Sequence, residues 1–340
     1  MFSNLIGNEN VKDSLRRLVL AGRVPGAMLF AGPEGVGKRA FAFEMARMLI
    51  CPVAGCGECS VCTRIGVFDI PKFEKGEETD KVFLSGHPDV GMVLPYKRNL
   101  RVGAIRALES ESYFRPFEGG RRVFVIEDAE KMNDSSSNAL LKTLEEPPPT
   151  THLILISSRP DSLLQTIRSR CQTIRFSPIT SNEIEGFLKD KGKLNGEDAA
   201  LAARASRGSI GAALDLDIDW FRAARAQMLE LLRSAIISGN IFSMLQASEQ
   251  INDAKNKDRF EESIAILQTL IRDVFVISKG AGPEEITNYD MFQSLKEFSE
   301  QVSTSRIDKW ALQIEDLLLG LNVNINRKVA TDSLFVKMAA

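Results

Sequence analysis

The chain has 340 residues, of which 44% are hydrophobic and 26% charged, with 43 Lys and Arg against 45 Asp and Glu. That length exceeds what one hydrophobic core usually serves, so two or three domains are expected. The near-neutral, ordinary globular composition excludes a general polyanion binder and leaves any nucleic-acid contact to local patches.

Met1-Phe2-Ser3-Asn4 has neither the charged start nor the long apolar core of a leader, and no later run approaches about eighteen apolar residues, so a cytoplasmic location without a membrane partner is expected. Val11 to Ala21 carries the apolar spacing of an amphipathic helix, with Leu15, Leu18 and Val19 on one side, and Arg23-Val24-Pro25-Gly26 breaks it. Ala27-Met28-Leu29-Phe30-Ala31 reads as a short buried strand and Arg39 to Ile50 as a helix. Between them lies Gly32-Pro33-Glu34-Gly35-Val36-Gly37-Lys38-Arg39, which fits the phosphate-binding pattern G-x-x-x-x-G-K-[ST] in all but its last position. In that pattern Gly32, Gly35 and Gly37 let backbone N–H groups cradle phosphates, Lys38 neutralises them, and a hydroxyl holds Mg²⁺. Arg39 stands where the hydroxyl belongs. A guanidinium has five donors and no acceptor, so it cannot ligate a cation. The strand and helix flanks favour a genuine loop over a chance match in a surface turn, but one that holds phosphate without using it; whether ATP still binds stays open.

Cys51, Cys56, Cys59 and Cys62 follow in the pattern C-x4-C-x2-C-x2-C, loosened by Gly55 and Gly57. Four thiolates so close in sequence suit one structural Zn²⁺, and a site closed by four protein ligands is not catalytic. Disulfides are the alternative, disfavoured by a reducing cytosol. Cys171, the fifth cysteine, reads as a buried small hydrophobe.

Pro71 to Gly86 is polar and reads as a surface loop, Gly103 to Ser112 as a helix, and Val123-Phe124-Val125-Ile126 as a buried parallel strand. That strand runs into Glu127-Asp128, where a P-loop ATPase keeps the carboxylates that hold Mg²⁺ and polarise water. The usual order is Asp then Glu, so the reversed pair misplaces both groups by about a bond length; helix capping is the plainer reading of the same acids. Asn133 to Glu146 is helical and stopped by Pro147-Pro148-Pro149, Leu153-Ile154-Leu155-Ile156 is a strand, Leu163 to Arg168 a short helix, and Ile174-Arg175-Phe176 a last strand. Strands alternating with helices predict a parallel sheet covered on both faces. From Thr180 strands cease: Asn182 to Asp190, Gly196 to Ala205 and Ile210 to Leu216 are short helices, and Trp220 onward reads as long amphipathic ones, including Ile264 to Ile277 and Ala311 to Leu321.

Asn138-Ala139-Leu140-Leu141-Lys142-Thr143-Leu144-Glu145-Glu146-Pro147-Pro148, with Ile167-Arg168-Ser169-Arg170-Cys171, the four cysteines, Leu5-Ile6-Gly7-Asn8-Glu9 and His87-Pro88-Asp89, resembles the AAA+ subunits of the bacterial DNA polymerase III clamp loader. The resemblance covers roughly residues 1 to 215 and implies an α/β fold: an AAA+ P-loop domain over residues 1–178, a helical lid over 179–215 and an all-α collar over 216–340. Within the family, tau/gamma motor subunits hydrolyse ATP, and the delta-prime branch has degraded site motifs. Arg39 and Glu127-Asp128 favour the latter. So does Gly211, which ends Gly208-Ser209-Ile210-Gly211 where motors carry a lid arginine. The competing reading, an active tau/gamma-type motor, asks for Ser or Thr at 39 and Arg at 211. A free-standing zinc-dependent nucleic-acid module lacks the basic balance and interleaved aromatics.

The family's zinc spacing has a longer gap after the first cysteine, which weakens Cys51 as a ligand. In the family the arginine of Ser169-Arg170-Cys171 enters the ATP site of the neighbouring subunit as a finger, with Arg168 the weaker candidate; a surface salt bridge is the plainer role for Arg170. The partners implied are tau/gamma ATPase subunits and delta in a heteropentamer, the sliding clamp, and primer-template DNA, for which Arg98, Arg101 and Arg106 are backbone-contact candidates as well as an ordinary solvated basic face.

Overall fold

The computed structural model describes residues 2, 4–70, 80–96, 99–253, 259–321 and 325–339. Most of the polar stretch Pro71 to Gly86, and Arg98, therefore lie outside the described residues. The chain divides into two compact units, Met1–Leu194 with Ser206–Leu214, and Asn195–Ala205 with Asp215–Ala340.

In chain order the first unit contains α1 (Glu9–Leu20), β1 (Ala27–Ala31), α2 (Lys38–Ile50), α3 (Ser60–Arg64), β2 (Phe83–Leu84), β3 (Val90–Val93), α4 (Val102–Ser112), β4 (Arg122–Ile126), α5 (Asp134–Glu145), β5 (Thr151–Ser157), α6 (Gln165–Arg168), β6 (Gln172–Arg175) and α7 (Ser181–Asp190). Their ends follow local chemistry. The Asn133 side chain accepts from Ser136 N–H to start α5, and Thr180 with Glu183 forms a capping box at α7.

The six strands run in the order β2-β3-β4-β5-β1-β6. Five are parallel, as the alternating pattern predicts, and β2 is an antiparallel addition at the edge. Neither β2 nor β3 was expected. β2 lies in the stretch read as a loop, and β3 is a four-residue Val-Gly-Met-Val segment interrupted by Gly91. Gly91 belongs there because a Cβ would sit 2.7 Å from Val82 and 2.9 Å from Phe124.

Period-two alternation splits the strand side chains between two cores. Met28, Phe30, Val123, Val125, Ile154 and Ile156 pack with Leu15, Phe41, Met45 and Ala46 on one face. Leu29, Phe124, Ile126, Leu153 and Leu155 pack with Ile105, Leu108, Leu140 and Ile167 on the other. Each of the larger of these side chains contributes roughly 1.5–3 kcal/mol on burial.

Register places the site. Ala31 of β1 pairs with Ser157 of β5, and Ile126 of β4 with Leu155, so the turns after β1 and β4 leave the same, C-terminal end of the parallel strands. One strand separates them, about 10 Å at ordinary strand spacing.

The second unit is helical: α8 (Gly196–Ala205), the end of α9 (Ile210–Asp215), α10 (Ile218–Arg233) continued by a π turn over Ser234–Ser238, α11 (Ile241–Asn252), α12 (Phe260–Ser278), α13 (Phe292–Gln301), α14 (Thr304–Leu321) and α15 (Arg327–Ala339). Met228, Leu267, Leu270, Phe298, Trp310 and Phe335 fill its core. Its buried charges are met: Asp273 accepts from the Thr287 and Asn288 N–H groups, and Arg225 forms two bonds to Asp290. No helix of the described residues is long and apolar enough to cross a membrane.

Candidate functional site

The glycine loop sits between β1 and α2 as its sequence requires. Gly35 is left-handed at φ 75°, and a Cβ there would come within 1.9 Å of the Ser209 hydroxyl, so only glycine fits. Lys38, at the first position of α2, is 6% exposed, and its ammonium donates at 2.6 Å to both the Gly32 and Pro33 carbonyls. Burial lowers its pKa, against the opposing pull of Glu127, Glu130, Glu34 and Asp128.

Arg39 crosses from the start of α2 to the end of β4, where its Nε donates to Glu127 Oε2 at 2.8 Å. The Glu127 side chain is only 12% exposed and the arginine 53%. Burial works against the Arg39 charge, but the hydrogen bond and charge of Glu127 outweigh it and raise its pKa. The guanidinium therefore engages the carboxylate at the end of β4 and, having no acceptor, offers a cation no ligand. The second acid is engaged as well: Asp128, left-handed at φ 46°, accepts from Lys131 at 2.7 Å. Helix capping does not explain Asp128, whose side chain makes no cap bond to the turn that follows, and the Glu127 carboxylate is taken up by Arg39. An entering nucleotide would meet four carboxylates acting on Lys38, with two of them already bound to cations of the chain itself.

The Gly208-Ser209-Ile210-Gly211 segment lies against this loop. The Gly211 N–H donates to the Gly35 carbonyl at 3.1 Å. A Cβ at position 211 would lie 3.5 Å from Gly35 Cα, ordinary contact, so the backbone leaves room for a side chain here and the sequence supplies no charge.

The four cysteines converge. Cys51 ends α2, left-handed Ala54, Gly55 and Gly57 turn the chain back, and Cys59 caps α3, which carries Cys62. Sulfur separations are 3.7 Å for Cys51–Cys59 and 3.9 Å for Cys51–Cys56 and Cys56–Cys62, and all four ligand atoms lie within 4.8 Å of one another. Tetrahedral bonds of about 2.3 Å demand edges of about 3.8 Å, so the set fits one metal ion, Cys51 included despite its short spacing. None of the four is in a disulfide. The thiols differ in readiness to ionise. Burial opposes ionisation of Cys51, yet N–H groups of the surrounding turn bring it down to about 6, whereas burial pushes Cys62 up to about 12.

Arg170 lies just beyond α6. Its Nη2 is 2.8 Å from Glu145 Oε1 at the end of α5, and its Nη1 donates to the Thr166 carbonyl at 2.9 Å. Arg168 pairs instead with Asp161 at 2.7 Å. Cys171 is buried, which pushes its thiol up to about 12, the behaviour of a small core residue. Arg101 stacks over Tyr96 at 5.1 Å, and Arg106 is exposed on α4.

Sequence reasoning gave no individual role to three contributors. Asp89, fully buried, accepts from the Phe117, Glu118 and Gly119 N–H groups and so fixes the turn into β4. Glu130 accepts from the N–H and hydroxyl of Ser158 at the end of β5, which brings one more acid to the pocket rim. Glu145 was read only as part of a motif. The signal available was chemical, carboxylates in turns and at a helix end, but their partners stand 25 to 30 residues away and no local pattern joins them.

Residues 7–180 match the family profile described as DNA polymerase III, delta subunit, and residues 221–330 the profile described as DNA polymerase III, delta subunit, C terminal. Among curated relatives, the DNA polymerase III subunit delta' of Pseudomonas aeruginosa is 30% identical over 92% of this chain and 92% of its own length. That of Bacillus subtilis is 28% identical over 89% of this chain and 88% of its own. Subunit tau of Bacillus subtilis is 26% identical over 88% of this chain but only 54% of its own length.

Proposed function

Because the chain belongs to the DNA polymerase III delta-subunit family, as a delta'-type clamp-loader subunit, we propose that it hydrolyses no ATP itself and supplies Arg170 to the ATP site of a neighbouring tau/gamma-type subunit. The observation that carries the first half is the Arg39–Glu127 ion pair, in which the residue at the usual hydroxyl position has no lone pair to offer a metal and takes up the neighbouring carboxylate. Asp128 turned to Lys131 and the uncharged Gly211 remove two further functions from the same pocket. The tau relative keeps the motor reading in view, but the missing hydroxyl at 39 and arginine at 211 weigh against it.

A finger needs no home site. It needs a guanidinium that leaves its own surface, and Arg170 is 35% exposed at the end of a short helix set by the α5–β5–α6 framework. Such fingers stabilise charge on the transferring phosphoryl group and contribute about 10³ to 10⁵ in rate. On this reading residues 1–178 form the P-loop domain, 179–215 the lid and 216–340 the collar through which the subunit joins a heteropentamer with tau/gamma and delta. That complex loads the sliding clamp onto primer-template DNA in the bacterial cytoplasm. Cys51, Cys56, Cys59 and Cys62 hold Zn²⁺, which when bound locks the turn between α2 and α3 and does no chemistry.

Steady-state turnover of the isolated chain with Mg²⁺ and ATP is the test. No turnover above background is expected; turnover near one per second, abolished by Lys38→Ala, would establish the motor reading instead.

A further inference from the structure

We propose that Glu145 is a counter-ion in cis that holds Arg170 in the free subunit and competes for it with the phosphates of the neighbouring nucleotide; this rests on the finger reading of Arg170 above. Glu145 is the last residue of α5, where the carbonyl ends of the helix make a carboxylate unfavourable unless a cation answers it. Arg170 is that cation, at 2.8 Å, and Glu145 makes no other ion pair among the described residues.

The pair is built for exchange. Both side chains are part-exposed, 35% for Arg170 and 52% for Glu145, so water screens the attraction and can replace either partner. Contrast Arg39, whose carboxylate partner is 12% exposed. Both terminal guanidinium nitrogens are committed, Nη2 to Glu145 and Nη1 to the neutral Thr166 carbonyl, so Glu145 supplies the charge against which a phosphate competes. A polyphosphate offers several charged oxygens in a geometry that a guanidinium meets bidentately, so it outcompetes one hydrated carboxylate once the neighbouring site is assembled. Without nucleotide the finger stays on its own subunit. Glu145 is thus a positioning residue that sets the nucleotide affinity of the adjacent site.

The test uses the reconstituted complex with cognate tau/gamma and delta, clamp and primed DNA, in which only the motor site adjacent to this chain keeps its P-loop lysine. ATP titrations are compared for the unmodified chain, Glu145→Gln, Arg170→Ala and the double variant. Glu145→Gln keeps shape and loses charge, and should lower the apparent KM for ATP about 1.5- to 5-fold, the range an exposed ion pair supports. The shift should vanish in the Arg170→Ala background, which a general structural effect of Glu145 would not do. An unchanged or raised KM in Glu145→Gln, or a shift that persists without Arg170, overturns the competition while Arg170→Ala still slows hydrolysis. If Arg170→Ala alone changes neither kcat nor KM, the finger reading itself fails and this inference with it.

Discussion

Arg39 illustrates how much one position conveys and what it withholds. That a guanidinium replaces the metal-holding hydroxyl is legible in the loop sequence; that it bonds Glu127, 88 residues away, depends on β1 and β4 flanking β5 in register, which no local pattern states. The pair makes a stability prediction. Arg39→Ala leaves a nearly buried carboxylate unpaired, and since the arginine is half exposed the loss should be about 1 kcal/mol in urea unfolding of the first unit. Glu127→Gln with Arg39→Ala should recover most of it, and equal losses in single and double variants would deny the pair its role. The two histidines make a pH prediction. Burial lowers the pKa of both, with His152 accepting from Arg121 and donating to the Pro25 carbonyl, and His87 accepting the Asp89 N–H. Between those lowered values and the ordinary 6.5 or so of an unfolded histidine, the unfolded chain binds more protons, so stability rises with pH through the window and is complete above it. Unfolding free energy should therefore fall as pH drops from about 7 to 5.5. His87→Asn with His152→Gln should flatten that slope; an unchanged slope would assign it to other groups.

Among the elements, α1, β1, α2, α4, β4, α5 and β5 lie within a residue or two of their expected bounds because apolar periodicity or a continuous apolar run bounded by turn residues marks them. β2 and β3 escaped notice because two and four residues, one a glycine, carry too little pattern to rise above a loop. The cysteine turn was legible in composition, whereas the closeness of the Cys51 sulfur to the other three follows from its place as the C-cap of α2 and from the left-handed residues that fold the chain back. Purified chain should contain about one zinc. Cys62→Ser, which removes a buried thiol of the cluster, should lose the metal and open the segment around residues 51–66 to protease, with the sheet's circular dichroism retained. Cys62→Ser protein that keeps stoichiometric zinc, or is as protease-resistant as the unmodified chain, would contradict this.

The chain comprises a parallel-sheet unit, in which the turns after β1 and β4 leave the same end of the strands, and a helical unit whose core is separate. The sheet unit is readable because strand–loop–helix order fixes which turns meet. The helical unit is readable only in kind, since amphipathic faces say that helices pack and not which pairs do; Arg225 to Asp290 and Asp273 to Asn288 are pairings that no periodicity marks. On the proposed reading the chain acts as a subunit and not as a motor, with the Arg39–Glu127 pair in its own P-loop pocket and Arg170 part-exposed beside Glu145. Arg170→Ala and Lys38→Ala, compared in the complex whose only competent motor site adjoins this chain, test that directly. Arg170→Ala should lower clamp- and DNA-stimulated ATP hydrolysis by an order of magnitude or more while leaving assembly intact, and Lys38→Ala should leave the rate nearly unchanged. Equal effects of the two substitutions, or an unmodified rate in Arg170→Ala, would contradict a subunit that acts in trans.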